Sequence, residues 1–175
     1  MSRAVRFAPL ALLLLVIAGL VWRLSTPADT NVRSRLAGKP VPAFNLAAPL
    51  PGKPAFSSRD LAMGRPRLVN IFASWCVPCI TEVKVLKQLQ SRGVAIDGIA
   101  IRDRAGDIAA FLARNGDPYA RIGSDEQSAL QIALGSSGVP ESFVVDGRGI
   151  IRYQHIGAVE AADVPLILSQ LEQAR

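Results

Sequence analysis

The only two cysteines of this 175-residue chain, Cys76 and Cys79, stand two residues apart in "FASWCVPCITEV" (72–83), after an apolar run and ahead of a helical pattern. Three chemistries fit a pair so spaced: a disulfide staple, a metal clamp, or a dithiol that works by being oxidised and reduced. A bridge closing only Val77 and Pro78 constrains the unfolded chain little, because the entropic benefit grows with loop length. A four-ligand structural zinc site would need two more ligands, and the sole histidine, His155, is remote in sequence. The working dithiol gains most from these limits.

That chemistry depends on the elements that hold the sulfurs. "RLVNIFA" (67–73) is a short apolar run that reads as a buried strand, and "CVPCITEVKVLKQLQSRG" places Ile80, Val83, Leu86 and Leu89 at helical spacing and stops at Gly93. With the strand ending near Ala73 and the helix beginning at Cys76, Cys76 lies where unpaired backbone N–H groups and the helix dipole favour a thiolate. Its pKa is expected to fall below the free-thiol value of about 8.5. Cys76 is then the nucleophile, and Cys79, one turn further in, resolves the mixed disulfide. Pro78 suits a first helical turn. Trp75 offers an apolar plate beside the sulfur for docking a partner polypeptide.

Downstream, "VAIDGIAIR" reads as a second strand, "DIAAFLARNG" as a helix stopped by Gly116, and "DEQSALQIALG" as another short helix. "ESFVVD" and "IIRYQHIG" form a hairpin around Asp146-Gly147-Arg148-Gly149, and "EAADVPLILSQLEQA" closes the chain as an amphipathic helix. Upstream, "NLAAPLPGKPAFSSRDL" has room for a short hairpin and turn. The order strand, helix, strand, helix, hairpin, helix implies an α/β fold: a mixed sheet flanked by helices, one domain over 44–175.

Half the residues are hydrophobic, enough for one good core. The net charge is +6, but Arg3, Arg6 and Arg23 lie in a segment without acids, leaving +3 over 27–175. With scattered cations and few aromatics, no nucleic-acid surface is legible. Residues 7–22, "FAPLALLLLVIAGLVW", carry no charge and are flanked by arginines. They read as a signal anchor (transmembrane helix, 1–24) followed by a proline-punctuated tether (25–43), or as a cleaved signal peptide with a processing site near Thr26–Ala28. Either reading puts the remainder outside the cytoplasmic membrane, in a bacterial periplasm, where oxidised thiols persist.

"NIFASWCVPC", followed by "GVPESFVVDGRGIIRYQHIG", resembles the thioredoxin fold, and more closely the membrane-anchored thiol:disulfide interchange proteins of cytochrome c maturation (DsbE or CcmG type). The likeness extends over the "GKPVPAFNL" lead-in, the "IAIRD" strand and the "GDPYA" loop. It implies that Pro140 is a cis proline abutting the active-site disulfide, with the backbone of Val139 pairing to a bound polypeptide strand. It implies that Glu141 is the acid following that proline and a candidate for proton transfer. Asn70 occupies the strand position where ordinary thioredoxins hold a buried aspartate; with an amide there, Glu141 or an acid near Asp103 is left to move the proton, although Asp103 by itself reads as solvated. Ser136 and Ser142 stand where the family usually has valine and threonine, changes expected to touch packing and partner fit rather than dithiol chemistry. His155 reads as structural.

The resemblance implies a monomeric reductase needing no dissociable cofactor. Its protein substrates would be apocytochrome c cysteines or a thiol protein of the ligation machinery, and its electrons would come from a membrane thiol reductant. Two alternatives use the same cysteines: a disulfide-forming oxidase, which Val77-Pro78 does little to favour, and a Cu(I) chaperone, for which His155 is poorly placed.

Overall fold

The computed structural model describes the backbone of residues 3–25 and 36–175 and the side chains of residues 10, 12–23 and 36–175. The chain divides into two units, Met1–Val32 and Arg33–Arg175. The first holds α1 (Arg3–Ser25), whose described residues from Leu10 to Trp22 are uncharged and exposed. Among the described residues no helix is long and apolar enough to cross a membrane. The side chains at 3–9, on which the anchor reading partly depends, lie outside the described residues, as do tether positions 26–35 with the Thr26–Ala28 processing site.

In the second unit β1 (Asn45–Leu46) and β2 (Phe56–Ser57) form the expected small antiparallel pair, followed by the one-turn helix α2 (Ser58–Leu61). Then come β3 (Arg67–Phe72), α3 (Val77–Ser91), β4 (Ile96–Ile101), α4 (Ala105–Asn115), β5 (Arg121–Asp125), α5 (Ala129–Ala133), β6 (Glu141–Val145), β7 (Ile151–Ile156) and α6 (Val164–Gln173). The main sheet has the order β5-β4-β3-β6-β7; β3, β4 and β5 run parallel, and β6 and β7 antiparallel to their neighbours. The parallel strands β3 and β4 sit at the centre and are buried almost throughout, which is why they read as continuous apolar runs.

β5 was absent from the sequence expectation. Ile122 is its only large apolar residue, and its Gly123 is required by packing: a Cβ there would lie 2.6 Å from Leu46. The α3 face also differs. Val83, Leu86 and Leu89 are buried as expected, but Ile80 is 42% exposed, and the inward positions of the first turns belong to Cys79 and Glu82.

α3 and α4 cover one face of the sheet, where Asn70 of β3 meets Glu82 of α3 and Phe72 of β3 meets Phe111 of α4. On the other face Val69, Ile99, Phe143 and Val145 pack around a small apolar void with Val41, Phe44, Leu61 and Leu134. The lead-in segment reaches both margins of the sheet, bridging Pro40 to Ile150 and Ala47 to Ser124.

Candidate active site

Parallel β3 and β4 end at the same side of the sheet, and the antiparallel register that pairs Ile71 with Glu141, and Glu141 with Ile156, brings the start of β6 and the end of β7 there too. Four loops therefore converge: residues 73–76, 102–104, 136–140 and 157–159. Clefts at the carboxyl ends of strands are where open α/β sheets place their chemistry.

Cys76 is the N-cap of α3 and is joined to Cys79 by a disulfide. Pro78 lies in the first turn, and the Cys79 N–H donates to the Cys76 sulfur at 3.2 Å. This donor and the positive end of the helix dipole both act on the Cys76 sulfur. Trp75, Val77 and Ile80 are 57%, 70% and 42% exposed, so an apolar rim surrounds the sulfurs. Ile80, one of the four apolar residues at helical spacing, belongs to it.

The loop ahead of Cys76 is held by Asp103. Its carboxylate accepts the Ser74 N–H at 2.5 Å, the Ser74 hydroxyl at 2.8 Å and the Arg104 N–H at 3.0 Å. Asp103 is 8% exposed, so the expectation of a solvated surface acid is corrected: its oxygens face backbone donors of the active-site turn. Trp75 Nε1 donates to the Arg102 carbonyl at 3.3 Å, tying the same two loops once more.

Beneath Cys79 lies a buried polar network. Glu82, 1% exposed, occupies the position three residues after Cys79 on the inward face of α3. Its Oε1 accepts from Asn70 Nδ2 and its Oε2 from the Val159 N–H, both at 3.1 Å. Burial pushes the Glu82 carboxyl up to about 7, against the opposing pull of those two donors. The second Asn70 donor reaches Ser142 Oγ at 3.1 Å, and Asn70 Oδ1 accepts the Tyr119 hydroxyl at 2.7 Å. Ser142, read from sequence as a matter of packing, thus joins the network under the dithiol. Glu82 itself was overlooked. The legible signal was a carboxylate in phase with Cys79, Val83 and Leu86 on a helix face that is otherwise apolar.

Val139-Pro140 is a cis peptide, and Pro140 is buried directly before β6. Glu141 is fully buried rather than a solvated turn acid. It accepts from the Ser136 hydroxyl at 2.5 Å, the Ser137 N–H at 3.0 Å and Gln154 Nε2. Because Ser142 faces Asn70, alternation along β6 turns Glu141 to the opposite face, away from Glu82. Ser136 likewise does more than pack: it also donates to the Gly138 carbonyl at 2.9 Å, tying the loop before Pro140 to Glu141. His155 is on β7 with Nε2 3.2 Å from the Ala158 carbonyl oxygen, in keeping with a structural reading.

A model of the family described as Redoxin matches residues 36–171. The thiol:disulfide interchange protein DsbE of Escherichia coli strain K12 is 39% identical over 162 residues, covering 90% of this chain and 87% of that protein. HelX, a thiol:disulfide interchange protein of Rhodobacter capsulatus, is 38% identical over 155 residues, covering 86% and 85%. Among solved structures, a thiol:disulfide interchange protein of the thioredoxin family from Chlorobium tepidum TLS superposes with a TM-score of 0.60 at 30% identity, over 77% of this chain and 94% of that one. A DsbE structure from Chlorobium tepidum reaches a TM-score of 0.68 at 24% identity, over 79% and 96%, a likeness of fold.

Proposed function

The chain belongs to the redoxin family, among its DsbE-type thiol:disulfide interchange proteins, and from that footing we propose that it is a reductant of protein disulfides in cytochrome c maturation. The observation that carries the direction of transfer is the setting of Cys76: among the described residues its sulfur receives a single hydrogen bond, from the Cys79 N–H. Val77 and Pro78 add no side-chain donor. A strong oxidant needs a heavily stabilised thiolate in its reduced form, and one amide and a helix end supply only moderate stabilisation.

In the proposed reaction the Cys76 thiolate attacks one sulfur of the target disulfide, the target bond breaks, and a mixed disulfide forms. Cys79 gives its proton to the Glu82 carboxylate, and the resulting thiolate attacks Cys76. The second target sulfur leaves, each departing thiolate takes a proton from solvent, and Glu82 returns the Cys79 proton to solvent. The target gains two electrons and two protons, and the chain is left with the Cys76–Cys79 disulfide seen here. Glu82, one turn from Cys79 and with a pKa near neutrality, suits the transfer. Glu141, which sequence reading advanced for that step, instead positions the loop carrying Val139 and cis Pro140, where an incoming strand pairs.

Targets are apocytochrome c cysteines or a thiol protein of the ligation machinery, and electrons come from a membrane thiol reductant, as the family resemblance implies. The domain works in the periplasm, tethered by α1.

Trapping tests this directly. Cys79→Ala expressed in its own cell envelope is expected to accumulate a mixed disulfide through Cys76 with one of these targets, and Cys76→Ala to trap nothing and lose reductase activity. A redox equilibrium with glutathione near that of thioredoxin, about −270 mV, fits a reductant; one near −120 mV makes the protein an oxidase.

A further inference from the structure

Glu82 is only the inner end of a hydrogen-bonded chain. Its Oε1 accepts from Asn70 Nδ2, and Asn70 Oδ1 accepts from the hydroxyl of Tyr119. Tyr119 comes from the loop between α4 and β5, is 2% exposed and stacks on Phe72 at 4.6 Å between ring centroids. Gly98 makes room for that stack, since a Cβ there would lie 2.9 Å from Phe72 and 3.0 Å from Tyr119. The phenol is held well above its ordinary pKa, by burial first and then by the charges of Glu82 and Asp117, so it keeps its proton.

A primary amide accepts at one end and donates at the other. With the phenolic proton on Oδ1, the donor end of Asn70 is turned toward Glu82 and Ser142. We infer that Tyr119 is a positioning residue for thiol–disulfide exchange: acting through Asn70, it fixes the amide's donor end on Glu82 and so eases formation of the carboxylate that takes the Cys79 proton. This rests on the reading of Glu82 as that proton acceptor.

Without the phenol the amide is free to turn over. Its oxygen then faces Glu82, where it accepts a hydrogen bond from the protonated acid and stands against the carboxylate; the neutral acid is favoured. The groups facing Glu82 are few. β3 supplies Asn70, with Ser142 of β6 behind it; the loop after β7 supplies the Val159 N–H; on its own helix Cys79 lies buried three residues earlier. Asp117, paired with Lys53 Nζ at 2.6 Å, adds its charge to those that hold the Tyr119 phenol up.

The test uses the reduced full-length chain mixed with oxidised glutathione, with decay of the Cys76–glutathione mixed disulfide followed by acid quench and mass spectrometry between pH 5 and 9. The wild-type resolving rate is expected to fall on an acid limb that Glu82→Gln abolishes. Tyr119→Phe keeps the ring and its stack, and is expected to move that limb upward by on the order of one pH unit while leaving attack by Cys76 unchanged. Ser142→Ala removes the other amide partner but leaves the phenol, and is expected to keep the limb in place. A limb unmoved in Tyr119→Phe, or moved equally by Ser142→Ala, overturns the relay. A wild-type limb that Glu82→Gln leaves untouched overturns the Glu82 reading instead.

Discussion

Asp103 grips Ser74 twice, accepting its backbone N–H at 2.5 Å and its hydroxyl at 2.8 Å, and so fixes the turn that delivers Cys76 to the head of α3. Asp103→Ala leaves the Ser74 N–H without its acceptor. The expected result is a loss of about 1–3 kcal/mol in unfolding free energy, together with slower attack by Cys76 on oxidised glutathione. Denaturant unfolding and stopped-flow kinetics read the two effects; a variant as stable and as fast as the parent would remove Asp103 from the account.

Glu82 makes stability depend on pH in a definite direction. Its carboxyl ionises near 4.5 when unfolded and at about 7 in the folded protein. Below about 4.5 both states hold the proton. Between 4.5 and 7 only the folded state does, so stability falls as pH rises across that window and levels off above it. Glu82→Gln lacks the effect, so relative to wild type the oxidised variant is expected to gain on the order of 3 kcal/mol between pH 4.5 and 7.5. Urea titrations of both proteins at the two pH values check this. Parallel behaviour would mean that the Glu82 carboxyl ionises at the same pH in the folded and unfolded states.

Ser136 and Glu141 form a hydrogen-bonded pair, the serine hydroxyl donating to the buried carboxylate at 2.5 Å. Ser136→Val removes one donor from a buried carboxylate, and is expected to cost about 1–2 kcal/mol and lower the thermal midpoint by several degrees. Glu141→Gln is expected to leave the acid limb of the resolving step where it is. A displaced limb would return the proton-transfer role to Glu141.

Much of this was legible in the sequence because period and punctuation agree with the tertiary environment. The central strands are apolar on both sides, α3 and α4 stop at the left-handed glycines Gly93 and Gly116, and Asp146-Gly147-Arg148-Gly149 turns the β6–β7 hairpin. β5 escaped because Gly123 and Ser124 are poor strand formers in isolation; the strand exists because β4 pairs with it and Leu46 packs over it. Ile80, though in step with Val83, Leu86 and Leu89, lies outside the buried face because helical spacing gives a face only to within about one position. The true inward face was displaced toward Cys79 and Glu82, and a carboxylate is the residue type least expected there. Asp103 could not be read because its partners are backbone and hydroxyl groups of a loop 29 residues away.

The lead-in strap reaches the two outermost strands, through Pro40 opposite Ile150 beside β7 and Ala47 opposite Ser124 on β5. Backbone donors and acceptors that would otherwise stand open along those borders are thereby partly occupied by the chain itself. Fibril-like stacking of neighbouring copies through those borders is discouraged.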